Sequence, residues 1–125
     1  MAPIFKAIEI AENAADNIIE LKVSGKLTTE DYEDIITELE NRIKKVNRIR
    51  LLIELHDFHG WTAGALWEDV KFDFKHFSDI ERCAVVGESR WEKGMTFFFK
   101  PFTAADVRYF DSNSLEEARR WIREL

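Results

Sequence analysis

Two short, nearly continuous aliphatic runs, Arg48 to Leu55 (RIRLLIEL) and Arg82 to Glu88 (RCAVVGE), constrain this chain more than any other feature. Runs of this length without polar alternation suit strands covered on both faces, as in a parallel sheet. Parallel strands require long crossovers, and the intervals here carry helical spacing. Before the first run, Tyr32, Ile36, Leu39, Ile43 and Val46 fall on one stripe. Thr28 or Thr29 caps that helix, with Glu30, Asp31, Glu33 and Asp34 in its first turns and Lys44 and Lys45 in its last, as the helix dipole favours.

After a loop from His56 to Trp61, a second helix is predicted from about Thr62 to Phe77, with Ala63, Leu66, Val70, Phe74 and Phe77 on its buried side. Ser89 caps a third helix, which stops near Lys100 because Pro101 disfavours helix in the residue before it. Asp106 to Phe110 reads as the last strand. Ser114 caps a final helix whose stripe is Leu115, Ala118, Trp121, Ile122 and Leu125. At the other end, Ile4 to Glu12 and Ile18 to Ser24 alternate around the turn residues Asn13 to Asn17, the pattern of a β-hairpin, and Gly25 breaks it. The sum is an α/β fold: an opening hairpin, a mixed, mostly parallel sheet and four flanking helices.

The 125 residues, with no linker or repeat, make a single domain over 1–125. The net charge of −6 is the wrong sign for neutralising phosphates, so nucleic acid is excluded as a partner. Cys83 is the only cysteine, and the start MAPIFKAIEIAEN has no basic stretch followed by an apolar one, so the expectation is an unprocessed intracellular chain. No apolar run approaches the roughly 18 to 20 residues that span a bilayer.

The usual signatures of chemistry are missing. There is no nucleophile elbow, phosphate loop or dinucleotide fingerprint. His56 and His59, flanking Asp57, have H-x-x-H spacing, but His76 is the only other histidine, so polar loop residues are the favoured reading over metal ligands. Cys83 opens an apolar strand and reads as an inert core residue. Neither catalysis nor a cofactor is expected.

The aromatic residues are more informative. Of ten Phe, four Trp and two Tyr, thirteen lie between Phe58 and Phe110. In the third helix Trp91, Met95 and Phe98 share an apparent core face with Phe99 at its edge, while Phe97 projects toward Lys93 and Lys100. In the second, Phe72 points away from the apolar stripe, toward Glu68. Rings off the core face suit an apolar ligand pocket, a membrane interface or a second copy of the chain. Gly94, in mid-helix, suits a segment that opens or a close approach of a neighbouring ring.

Four segments carry a family resemblance: Leu21 to Thr28 (LKVSGKLT), Leu52 to Trp61 (LIELHDFHGW), Lys75 to Gly87 (KHFSDIERCAVVG) and Lys100 to Phe110 (KPFTAADVRYF). Together they make the chain resemble the SpoIIAA-like family, a branch of the STAS (sulfate transporter and anti-sigma factor antagonist) fold. The resemblance implies a small bacterial cytoplasmic protein, and similarity to CRAL-TRIO-type domains that hold hydrophobic ligands between sheet and mobile helices. Anti-sigma factor antagonists carry a serine switch at the start of the helix after the third strand. Here that stretch is Gly60-Trp61-Thr62-Ala63-Gly64, with Ala63 at or beside the switch position and Thr62 the only hydroxyl.

The expectation is therefore a non-enzymatic domain that holds an apolar or amphipathic small molecule, with peripheral contact to the inner membrane face. Its contact residues are Phe58, Trp61, Trp67, Phe72, Trp91, Lys93, Met95, Phe97, Phe98, Phe99 and Lys100. The alternative is a STAS-type protein-interaction regulator with Thr62 in its regulatory turn and a regulatory protein, or a homodimer mate, as partner.

Overall fold

Strand and helix alternate as the periodicities require. A computed structural model describes residues 8–11 and 17–124. Its elements are β1 (Ile8–Ala11), β2 (Ile18–Leu27), α1 (Thr29–Val46), β3 (Ile49–Trp61), α2 (Ala63–Lys75), β4 (Ile80–Gly87), α3 (Arg90–Phe99), β5 (Asp106–Asp111) and α4 (Leu115–Arg123). A single turn of 3₁₀ helix, Lys100–Phe102, follows α3, and another, Ser112–Ser114, precedes α4. The hairpin residues Ile4 to Ala7, Glu12 and Asn13 to Asp16, and Leu125 of the last stripe, lie outside the described residues.

The five strands lie in the order β1-β2-β3-β4-β5, antiparallel only between β1 and β2. Because the order never reverses, right-handed crossovers put α1, α2 and α3 on one face of the sheet. Their side chains Tyr32, Ile35, Leu39, Ala65 and Phe72 pack on Leu21, Val23, Leu51 and Leu55. Helix α4, which follows the last strand, closes the opposite face with Ala118, Trp121 and Ile122 on Leu52, Ala84 and Val86. Alternate residues of β3 and β4 thus enter different cores, which is why both sequences are continuously aliphatic.

Local chemistry fixes several boundaries. Thr28 begins α1 with a reciprocal capping box, its hydroxyl facing Asp31 N while Thr28 N donates to Asp31 Oδ2 at 2.7 Å. Ser89 and Ser114 stand at helix starts, but neither side chain makes the expected capping hydrogen bond. Strand β2 does not stop at Gly25, and the predicted loop His56 to Trp61 is the end of β3. Bulges reconcile these sequences with pairing: Ser24 faces His56, Gly25 faces Phe58 and Lys26 faces Gly60, leaving Asp57 and His59 as extra residues. Gly25, Asp57 and Gly60 take positive φ there, which explains why turn-forming residues interrupt two long strands.

Two helix faces differ from those the apolar spacing predicts. In α2, Phe72 is buried at 8% exposure, whereas Phe74, at 61%, is exposed, as is Phe77, which lies beyond the helix end at Lys75 rather than in its last turn. The inward face is Ala65, Asp69, Phe72 and His76, and its aspartate disguises it as polar. In α3, Glu92 and Thr96 are buried while Trp91 and Phe98 are about half exposed, so of the expected stripe only Met95 packs inward. Rings lie on every side of this short helix, and hydrophobicity alone cannot choose among them. Phe97 is exposed as expected, with Lys100 Nζ 4.6 Å from its ring centre.

Candidate ligand-binding cavity

Between the sheet and α1 to α3 lies a cavity of about 160 Å³. Its floor comes from every second residue of the central strands: Leu21 and Val23, Leu51, Ile53 and Leu55, Cys83 and Val85. Ile35, Ile36 and Leu39 of α1, Phe72 of α2, and Met95 and Phe99 of α3 form the roof. These side chains leave the space between floor and roof unfilled, where a native core is ordinarily dense.

One chain of polar groups enters this apolar wall. Trp61 Nε1 donates to the Tyr32 hydroxyl at 2.6 Å, and that hydroxyl donates to Asp69 Oδ2 at 2.6 Å. Asp69 is in turn hydrogen-bonded to Asp73, one helical turn further along α2. Two carboxyl groups bond directly only by sharing a proton. Burial, then the charge of Asp69, push Asp73 up to about 9, so Asp73 keeps its proton near neutrality. Burial raises Asp69 as well, and burial followed by the Asp69 charge lifts the Tyr32 phenol well above its ordinary value. Cys83, which also lines the cavity, is pushed up to about 12 mainly by burial, which keeps it a thiol and a poor nucleophile.

An aromatic ladder connects the cavity to the surface. Trp91 stacks on Phe58 at 5.6 Å between centroids, Phe58 meets Trp61 edge-on at 5.1 Å, and Trp61 lies 5.4 Å from Phe99. Phe99 continues through Phe98 and Phe102 to the exposed Phe74. Of the residues singled out in the sequence, Phe58, Trp61, Phe72, Met95 and Phe99 line the cavity. Trp67, Trp91, Lys93, Phe97, Phe98 and Lys100 lie on the surface instead. Tyr32, Asp69 and Asp73 are missing from that selection. Their signal was available: aspartates at i and i+4 repel unless one is protonated, and they share a face with Phe72.

The remaining candidates lie elsewhere. Thr62 caps α2, its hydroxyl accepting from Ala65 N at 3.2 Å, and its own amide donates to Leu27 O. The imidazole of His56 is 2.7 Å from Glu54, while His59 and Asp57 are exposed and 3.7 Å apart. Among the described residues no three His, Cys, Asp or Glu side chains converge on a common point. Nor is any described helix long and apolar enough to cross a membrane.

The SpoIIAA-like family model matches residues 18–123, which takes in every element from β2 through α4. The chain belongs to the SpoIIAA-like family. A protein of the DUF3478 family with a SpoIIAA-like fold, from Shewanella loihica PV-4, is similar over 98% of both chains, with 28% identity and a TM-score of 0.77. The anti-sigma factor antagonist SpoIIAA in its unphosphorylated form is 12% identical over 95% of this chain and all of that one, with a TM-score of 0.65. The Bacillus cell fate determinant SpoIIAA in its phosphorylated form is 12% identical over 92% of this chain and 99% of its own, with a TM-score of 0.59. At that identity the SpoIIAA structures share the fold. No curated protein matches the chain. SpoIIAA-like membership accounts for the mixed five-stranded sheet and four helices; the cavity and its aspartate pair are described from this chain's own residues.

Proposed function

We propose that this SpoIIAA-like chain is a non-enzymatic binding domain that holds an apolar or amphipathic small molecule between its sheet and helices α1 to α3. The carrying observation is the cavity of about 160 Å³, walled almost wholly by aliphatic and aromatic side chains. An engineered apolar cavity of about 150 Å³ stays dry and takes up benzene, so this volume suits a ring or a short alkyl body. Larger molecules require α3 to move outward, and the exposed rings Trp91, Phe97 and Phe98 on that helix would follow them or meet a membrane surface peripherally. A cytoplasmic setting fits this reading, and it gives no residue a catalytic role.

Native mass spectrometry of the purified protein tests it, together with tryptophan fluorescence during titration with short alkyl and aromatic compounds. A retained small molecule, or a saturable fluorescence change lost in Phe72→Trp, supports the reading. A protein of bare mass whose fluorescence ignores every compound overturns it.

Thr62 supports a second reading, a regulator of the anti-sigma antagonist type. Its hydroxyl stands at the first turn of α2, where a phosphate would meet unpaired amides and the positive end of the helix dipole. Phosphate on Thr62 in protein taken from its own cells supports that role; an unmodified Thr62 through growth and stress counts against it.

A further inference from the structure

Hydrogen-bond accounting in the cavity restricts the head group of what it holds. The polar chain contains three strong donors: Trp61 Nε1, the Tyr32 hydroxyl and the proton kept by Asp73. Each is spent inside the chain, on Tyr32, on Asp69 and between the two carboxyl groups. The Thr96 hydroxyl, also at the wall, donates to Glu92 O at 2.8 Å, while Thr103, on the same wall, accepts from Ala105 N at 3.2 Å and keeps a neutral hydroxyl donor. What the carboxyl pair has left over are lone pairs, which only accept. No described residue lining the cavity is Lys, Arg or His. Two carboxyl groups among aliphatic walls, with no basic side chain beside them, are an unfavourable arrangement until something supplies a donor or a cation.

We propose that the cavity receives a molecule with a hydrogen-bond-donating cationic head, a primary ammonium on a short apolar body, and rejects the matching carboxylate. This rests on the binding-domain reading above, and it names the class of ligand. The ammonium replaces the missing cation beside Asp69 and Asp73, and the body lies among Leu51, Ile53, Phe72 and Met95. A carboxylate of the same shape brings like charge and no donor to the same place. A neutral alcohol donates one hydrogen bond without charge and belongs between them.

Hexylamine, hexan-1-ol and hexanoate, titrated at pH 7 while the Trp61 indole N–H is followed by NMR, separate the outcomes. Hexylamine is expected to bind about tenfold or more tighter than hexanoate, as a charge-assisted hydrogen bond implies. Asp69→Asn and Asp73→Asn combined should bring that ratio toward one while hexan-1-ol still binds, which shows that the cavity survives in the double variant. Equal binding of the three compounds, or a preference for hexanoate, overturns the head-group assignment and leaves the cavity reading standing. A hexylamine preference retained in that double variant also overturns it, because the charge would then lie elsewhere. If none of the three moves the Trp61 resonance, the cavity reading falls and this inference falls with it.

Discussion

The Tyr32 hydroxyl and Asp69 Oδ2, 2.6 Å apart, tie α1 to α2 across the mouth of the aspartate pair. The same oxygen of Tyr32 accepts from Trp61, so one phenol holds two helices and the end of β3 in register. Tyr32→Phe keeps the ring but strands a partly buried indole N–H and removes a donor from a partly buried carboxylate. We expect a loss of about 1 to 3 kcal/mol in urea denaturation, as for a buried group left unpaired. Unchanged stability would mean that the three groups are not linked in solution.

Asp73 sets a pH dependence whose sign is unusual for a carboxylate. Its folded-state value, about 9, stands above the ordinary 3.8, with Asp69, Tyr32 and Cys83 as the titratable groups around it. Between those limits the folded chain holds a proton that the unfolded chain has lost, so this group's contribution to stability falls as pH rises. Asp73→Asn removes the effect. The variant should gain on the wild type by up to about 1.4 kcal/mol per pH unit, with the gap widening from pH 5 to pH 8. Parallel denaturation curves across that range would refute it.

Phe72 and Phe74 give a direct measurement of which side of α2 faces inward. Phe72→Ala should cost about 3 to 5 kcal/mol, the range for a buried ring, whereas Phe74→Ala should cost under about 1 kcal/mol because that ring is 61% exposed where it meets Phe102. The apolar stripe in the sequence predicts the reverse order. Thermal or urea unfolding of the two variants decides between them.

Gly94 has open space where a side chain would begin: a methyl group on its α-carbon would meet nothing within 4 Å, so a nearby ring does not explain a glycine in the middle of α3. Its φ is not positive either. Gly94→Ala should therefore stabilise the chain by about 0.5 to 1 kcal/mol. If α3 moves to admit a ligand, the same substitution should slow amide exchange along Trp91 to Phe98, which hydrogen exchange reads directly. A loss of stability would indicate that α3 packs more tightly than the structure has it.

Period and punctuation in the chain were enough to specify its architecture. Val85 and Val86 point to opposite faces, and both faces are covered, so an unbroken aliphatic run was a sound sign of a parallel strand. Thr28 with Asp31, and Thr62 with the amide of Ala65, are helix starts written in four consecutive residues. Such features depend on near neighbours, and near neighbours are what a sequence displays. The long tail of β3 was obscured because Asp57 and Gly60 look like turn residues, and only the pairing of their neighbours with β2 reveals Asp57 and His59 as bulges.

The cavity belongs to the other category. Tyr32 is 37 residues from Asp69 in the chain, and nothing local announces that a phenol, an indole and two carboxyl groups will share one apolar space. A buried acid also reads as a surface residue, which reversed the apparent face of α2 and left its true face unnoticed. By itself the sequence determined the order of strands and helices and the SpoIIAA-like family, because periodic burial and local capping repeat along the chain. The empty volume under α1 to α3, and the proton that Asp73 keeps beside Asp69 within it, were decided by tertiary structure, because desolvation acts on whatever distant groups the packing brings together.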